Sequence, residues 1–345
     1  KGTHGEEVYK ECQAILAGDL DDDETMVVIY APAEGDDWTA ETTWRKANPN
    51  FGKSVKIESF LADFKRARQL PRLENDFKRY RLNVWTEQAV KWLPIDAIDD
   101  NGARFGWDHC VGDVGWKELE EKLRHKRCFG GLDLSSTNDL SGLVWWFPVQ
   151  DGLDKPAVVV RAFKPADLVK QHAKRDRLPY EAWVKDGALL TTPGNVVDYA
   201  FIQAQIYEDA QKFRIAFVGD QNRKPEQQGG LAIDRWNATE TAVKLEQEGL
   251  PVVLFGQGFA SMSAPAKELE RLVMANGLHH GGHPVLRRHA QAVAVVTDPA
   301  GNIKPAKDQS SIRIDLIVAL VMAIGIAAKD VPDTSITDAS VLTLV

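Results

Sequence analysis

The stretch GGLDLSSTNDLSGLVWWF, residues 130–147, decides the fold of this chain. Its first half is an apolar, strand-like run ending near a single acid, Asp133. Its second half, Leu143-Val144-Trp145-Trp146-Phe147, is rich in the β-branched and aromatic side chains that favour strands. The polar turn Ser135-Ser136-Thr137-Asn138-Asp139 between them predicts an antiparallel return, hence a hairpin with Asp133 projecting from a central strand. Burying an ionised carboxylate costs on the order of several kcal/mol unless something offsets it. Asp133 must therefore meet a cation, a metal or a set of donors; the competing reading is an aspartate that caps its own turn.

The far end of the chain carries a second such acid. In SSIRIDLIVALVMAIGIAAK, residues 310–329, Asp315 precedes an uncharged run over 316–328. A helix apolar all round is a buried core helix, and this one is shorter than the roughly 20 residues a membrane span needs. Asp315 at its start is either a partner of the helix dipole or a metal ligand, and a metal accounts for both acids at once.

Length and composition set limits on these readings. A chain of 345 residues predicts about two domains. Hydrophobic content of 44% with 27% charged residues is that of a globular protein, and no signal peptide or transmembrane segment is legible, which predicts a cytoplasmic location without membrane partners. Cys12, Cys110 and Cys128 are odd in number and widely spaced, which excludes a disulfide framework or a structural zinc site. The net charge of −8 argues against a general nucleic-acid coat. Charge is nonetheless segregated: acids crowd Asp19-Leu20-Asp21-Asp22-Asp23-Glu24, and bases gather at 117–127, 164–177 and Arg287-Arg288, with Lys304, Lys307 and Arg313 nearby in sequence. A basic face beside a carboxylate cluster suits a phosphodiester backbone; the competing reading is solvated helix faces.

The chain divides near residue 125. Residues 1–125 predict a small, mostly helical region and linker, with helices over 6–17, 57–69 and 73–80, a strand over 25–30, and a Trp- and Gly-rich junction over 83–128. Residues 126–330 predict the main domain, and 331–345 a tail. Strands over 128–134, 140–147 and 157–163 form an antiparallel meander. Then come a helix over 201–212, a strand over 214–218, a helix over 238–248, an extended run over 251–255, a helix over 265–275, a hairpin about Asp298-Pro299-Ala300-Gly301, and the apolar helix from 312. That order is the one expected of an α/β, ribonuclease-H-like fold: a mixed sheet flanked by helices, preceded here by the small helical region. Its fourth strand should lie beside the first and bring a second acid to its C-terminal end. Asp220 fits by spacing from the preceding helix; Asp234, between a short apolar run and a helix start, fits by context and is preferred, with Asp220 in reserve.

Several segments together resemble the large terminase subunit of tailed double-stranded-DNA bacteriophages. In its nuclease domain the matching pieces are GLDLSSTNDLSGLV at 131–144, DGALLTTPGNVVDY at 186–199, DRWNA at 234–238, GQGFASMSAPAKELERLV at 256–273, HHGGHPVLRRH at 279–289, GNIKPAK at 301–307 and IRIDLIVALVMAIG at 312–325, collinear over some 200 residues. DDWTAETTWRKANPNFG at 36–52 and NDFKRYRLNVWTE at 75–87 resemble the end of the family's packaging ATPase and its junction with the nuclease, which makes 1–125 a remnant of that domain with its linker. The chain departs from the full-length pattern in having no GxxxxGK[ST] phosphate loop, so no ATPase activity is expected of it.

The resemblance implies an endonuclease that cuts a concatemeric viral genome during packaging into procapsids, with double-stranded DNA, the small terminase subunit and the portal protein as partners, in the host cell cytoplasm. It implies two Mg²⁺ or Mn²⁺ ions, hard cations suited to carboxylates, with Asp133 bridging them, Asp234 holding one and Asp315 the other. Asp139, Arg235, His280, Lys304 and Lys307 would support these acids or contact DNA. His279, His280 and His283 lie in a Gly-rich turn, which favours loop or DNA-contact roles over a zinc box. Rival readings are a ribonuclease-H-like transposase or integrase, which should carry a DNA-recognition domain not legible here, a two-acid glycosidase, and a non-catalytic docking fragment of the packaging machine.

Overall fold

Aromatic side chains hold the first part of the chain together. In the computed structural model, which describes residues 4–33, 35–84, 92–135, 140–216, 230–235, 239–310 and 312–330, residues 1–68 and 73–87 group as one unit and residues 69–72 and 88–345 as another. The first unit contains α1 (His4–Ala17), α2 (Glu41–Ala47), α3 (Ile57–Gln69) and most of α4 (Pro71–Leu82). Trp44 of α2 stands 5.2 Å from Phe60 and 4.7 Å from Phe64, ring centre to ring centre, and Phe60 stands 5.1 Å from Phe77. Such ring pairs, tilted for Trp44–Phe60 and edge-to-face for the other two, add to the burial of the rings.

The helices predicted over 6–17, 57–69 and 73–80 form, but the strand predicted over 25–30 does not. Its apolar residues alternate as in a strand, yet among the described residues no neighbour offers a ladder, and Met26, Val28 and Tyr30 are left exposed; a lone strand gains no inter-strand hydrogen bonds. Ala47-Asn48-Pro49-Asn50-Phe51-Gly52-Lys53-Ser54 spells a looser phosphate-loop pattern with alanine first. It follows helix α2 rather than a strand and closes as a turn, with the Gly52 amide donating to the Val55 carbonyl at 2.9 Å, which is not the strand–loop–helix context that cradles phosphate.

The second unit opens with a small hairpin, β1 (Ala97–Ile98) and β2 (Arg104–Phe105), and with α5 (Trp116–Lys122). The sheet follows: β3 (Arg127–Asp133), β4 (Ser141–Phe147), β5 (Ala157–Pro165), β6 (Leu190–Thr192), β7 (Arg214–Ile215), β8 (Leu231–Asp234) and β9 (Val252–Phe255). Strand order is β6-β5-β4-β3-β8-β9, with β7 also on β3. β3, β4 and β5 are antiparallel neighbours, whereas β7 and β8 run parallel to β3, and β9 parallel to β8. This is the predicted mixed sheet. Helices α6 (Val169–Asp176), α7 (Tyr180–Lys185), α8 (Tyr199–Lys212), α9 (Thr239–Gln247), α10 (Phe259–Met274), α11 (Pro284–Ala292) and α12 (Asp315–Ala327) accompany it, and β10 (Val295–Thr297) pairs with β11 (Ile303–Pro305) as the predicted second hairpin.

Strand alternation sorts the core into two layers. Cys128, Leu132 and Leu134 belong to one cluster with α8 and α9 residues such as Ile202, Ile206 and Leu245. Phe129 belongs to the other, with Met262 and Leu269 of α10, Leu286 of α11 and the whole apolar run of α12. The interior helix read from residues 312–328 is thus built in, beginning at Asp315.

The boundary between the compact units falls near residue 88 rather than near 125. Trp92 and Trp107 are fully buried and Cys110 nearly so in the second unit's core, the Trp92 indole donates to Glu270 of α10 at 3.0 Å, and Leu119 and Leu123 pack on the opposite layer. A Trp- and Gly-rich segment reads as a junction because its burial depends on partners more than 150 residues away. The helix expected to begin at Pro265 starts instead at Phe259, with Pro265 inside it.

Candidate active site

Asp133 is the last residue of β3 and Asp234 the last of β8. The two strands are parallel neighbours with Gly131 opposite Ala232 and Leu132 opposite Ile233, so the two acids stand side by side at the C-terminal ends of adjacent strands. Adjacent parallel strands lie about 4.8 Å apart. Both acids project toward the same layer: in β3 Phe129 faces the α12 side and Leu132 the other, and in β8 Ala232 faces the α12 side and Ile233 the other. Alternation then carries Asp133 and Asp234 to the α12 side.

Glycines bring the third acid to the same end. A Cβ on Gly131 would stand 1.9 Å from the Ala319 carbonyl oxygen of α12, and a Cβ on Gly142 would stand 2.9 Å from the Leu316 side chain and 3.1 Å from the Asp315 backbone. Only side-chain-free positions on β3 and β4 let the helix lie this close to the sheet. Gly142 pairs with Asp133 across the hairpin, so the first residue of α12, Asp315, sits over the end of β3.

The cluster holds a cation already, Lys307. Its ammonium lies 2.5 Å from Asp133 Oδ2 and 3.0 Å from Asp315 Oδ1. The Gln257 amide donates to Asp133 Oδ1 at 3.1 Å. Asp234 Oδ1 and Asp315 Oδ2 are buried and accept no hydrogen bond, and Asp133 Oδ2 has the Lys307 ion pair without a well-aligned one. Asp315 caps nothing, since no side chain caps α12. Burial pushes the Asp133 carboxyl up to about 7, against the pull of Lys307 and with the push of Asp315. Burial alone would lower Lys307, but Asp133 and Asp315 outweigh it and raise its pKa. A cleft of about 290 Å³, lined by residues including Gln257, Lys304, Lys307 and Val318, opens beside the acids.

As the side chains stand, no three Asp, Glu, His or Cys groups among the described residues close on one point. The donor set still fits a hard divalent ion: carboxylate oxygens from three elements, buried orphan oxygens on two of them, and a cation seat filled by an ammonium. Unsatisfied buried acceptors of this kind are rare outside sites that bind something.

A family model described as "Terminase large subunit, endonuclease domain" matches residues 19–330. The chain belongs to that family. It is 31% identical over 307 residues to "Terminase, large subunit" of Enterobacteria phage HK97, a match covering 88% of this chain and 55% of that protein. It is 30% identical over 338 residues to "Protein YmfN" of Escherichia coli (strain K12), covering 95% of this chain and 69% of that one. The crystal structure of the HK97 bacteriophage large terminase superposes with a TM-score of 0.50 at 28% identity, covering 91% of this chain and 59% of that chain. The chain thus spans little more than half the length of those HK97 proteins. Its fold is the ribonuclease-H-like one of terminase nuclease domains.

The other sequence-derived candidates fall out as follows. Asp139 and Asp220 lie outside the described residues. Among the described residues α9 begins at Thr239, five positions past Asp234. Arg235 is an exposed turn residue just past β8. Lys304 sits on β11 with its ammonium 5.3 Å from the Phe259 ring centre. His280 is a correction: its ring is buried, stacks on Trp107 with centres 4.5 Å apart, bonds the Trp107 carbonyl through Nε2 at 2.8 Å and accepts from the Gly282 amide at 3.1 Å. Both nitrogens are used, and none is left for a phosphate. His283 likewise serves structure, accepting from the Leu286 amide as the N-cap of α11. Gln257, which no sequence pattern singled out, is the residue that fixes Asp133; its only signal is a polar side chain between two glycines directly after a strand.

Proposed function

We propose that this chain is a divalent-metal-dependent endonuclease that cuts double-stranded DNA, the concatemeric viral genome, during packaging into procapsids. The observation that supports this reading is the placement of Asp133, Asp234 and Asp315, three buried acids, at the ends of two neighbouring strands and at the start of the helix packed on them, in a chain of the terminase nuclease family. Two Mg²⁺ or Mn²⁺ ions, when bound, would make a water nucleophilic and stabilise the leaving oxygen. Asp133 would bridge them, Asp234 would hold one and Asp315 the other. Gln257 orients Asp133, so that one oxygen is pinned and the other turned to the cation. Arg235, Lys304 and Lys307 supply positive charge for a DNA backbone, and phosphate contacts of this kind carry no base code, which predicts little sequence preference for the isolated chain.

The likeness to full-length large terminases makes the small terminase subunit and the portal protein the proposed partners, in the host cell cytoplasm. Among the described residues no helix is long and apolar enough to cross a membrane. No ATPase activity is proposed for this chain, because its sequence has no GxxxxGK[ST] and the looser match at 47–54 follows a helix rather than a strand. The alternatives are a transposase-type nuclease on the same fold and a docking fragment without catalysis. The test is plasmid cleavage: conversion of supercoiled DNA to nicked and linear forms with Mg²⁺ or Mn²⁺, stopped by chelator and restored by added metal. Cleavage undiminished by chelator, or no cleavage with either ion, overturns the proposal.

A further inference from the structure

We propose that Lys307 is a built-in counter-cation, holding the carboxylates together in the metal-free protein and yielding its seat to the incoming divalent ion, so that its charge sets the affinity for metal. This rests on the metal-dependent reading above and adds a regulator to the same site. The ammonium spans two acids from different elements, 2.5 Å from Asp133 Oδ2 and 3.0 Å from Asp315 Oδ1. Two buried carboxylates with no cation between them repel each other and lose hydration, so the metal-free fold needs this charge. Lys307 and a metal cannot occupy that seat together: Mg²⁺ takes oxygen at about 2.0–2.1 Å, and an ammonium beside it would be repelled.

The geometry permits the exchange. The Asp133 and Asp315 side chains are 1% and 6% exposed, whereas that of Lys307 is 38% exposed, so its stem reaches the acids from the solvent side and can swing outward. The backbone that carries it is fastened independently of the side chain: the Ala306 amide donates to the Ala294 carbonyl at 2.9 Å, the Ser310 hydroxyl donates to the Ala306 carbonyl at 2.7 Å, and the Ala294 amide donates to Ser310 Oγ at 3.0 Å. Asp133 keeps its orientation when the ammonium leaves, because Gln257 holds Oδ1 at 3.1 Å. What departure frees is Oδ2.

The test measures Mn²⁺ and Mg²⁺ binding by isothermal titration calorimetry, and melting with and without each ion, for the wild-type chain, Lys307→Met and Lys307→Gln. Neutralising Lys307 should tighten metal binding by at least about tenfold, lower the melting temperature in chelator, and enlarge the rise in melting temperature that metal gives. Equal or weaker metal binding in folded variants, with the wild type binding metal normally, overturns this inference and leaves the nuclease reading intact. A wild-type chain that binds neither ion overturns both. Should the variants not fold, ¹³C-lysine NMR of the wild type decides: the Lys307 ε-methylene signal should move to the position of a solvated lysine on saturation with Mg²⁺, and a signal unmoved at saturation overturns the proposal.

Discussion

Asp133 combines burial, a pinned oxygen and a partner cation, and its charge is costly where it stands. Its carboxyl is pushed up to about 7 from an ordinary 3.8, first by burial. The folded state therefore holds this proton more tightly than the unfolded state, so stability is lost as pH rises from about 4 to about 7, and above 7 the loss is complete. Asp133→Asn should lower cleavage by more than about 100-fold, since even outer partners of metal ligands cost 10–100-fold. In chelator, thermal melting should find the same variant more stable than the wild type at pH 8, by a margin that shrinks toward pH 4. A variant that melts lower than the wild type at pH 8 in chelator would contradict this electrostatic picture. What the sequence revealed at this scale followed from contrast: Asp133 and Asp315 are visible as single acids in apolar runs. Lys307 has no such contrast, being one of several bases around a hairpin, and its contact with acids 174 positions earlier and 8 later is set by tertiary packing.

Elements decide where the three acids stand. α12 lies on β3 and β4 only because Gly131 and Gly142 lack side chains, and Gly131 is the tighter, with the Ala319 carbonyl 1.9 Å from where a Cβ would be. That oxygen belongs to a helix backbone and cannot turn aside, so Gly131→Ala should push α12 off the sheet, costing about 1–3 kcal/mol or more and moving Asp315 away from Asp133. A lowered urea midpoint together with weakened metal binding would bear this out; unchanged stability would contradict it. The ambiguity between Asp220 and Asp234 also has its origin here. β7 and β8 occupy one place beside β3, end to end, with Arg127 opposite Arg214 and then Gly130 opposite Leu231. The described part of the first segment ends at Ala216 and that of the second begins at Gly230, where a Cβ would come within 1.8 Å of the Ala216 carbonyl oxygen. A single strand position split over two sequence segments gives two plausible strand ends, and pattern alone cannot choose. Basic runs are ambiguous for a related reason: Arg287 is spent on Asp108 in a two-pronged ion pair at 2.7 and 2.6 Å, and a run of like charges says nothing about partners brought in from elsewhere.

At the scale of the whole molecule the fold keeps three histidines neutral in its interior. Burial, above all, lowers His280 to about 4, His283 to about 3 and His289 to about 4. The unfolded chain takes up these protons below about 6.5 while the folded chain does not until near 4, so stability falls as pH drops through that window. Urea midpoints should decline steadily below pH 6.5, and none of the three imidazole signals should titrate between pH 7.5 and 5.5; titration of any at its ordinary pH would contradict the assignment. The order of elements, three antiparallel strands and then α/β units, made the sheet and its class legible from sequence because each element's pattern is local. The boundary between units was not legible, because Trp92 and Trp107 look like linker residues until their distant partners are known.

The proposed nuclease needs the acids on β3, β8 and α12 to act together on metal, and Asp234 is the decisive one because its role is the one the sequence left open. Plasmid cleavage and melting curves should be measured for the wild type and Asp234→Ala in saturating Mg²⁺. The wild type should cleave, Asp234→Ala should show no detectable cleavage, and the variant should melt in chelator no lower than the wild type. An Asp234→Ala chain that still cuts DNA at the wild-type rate would contradict it.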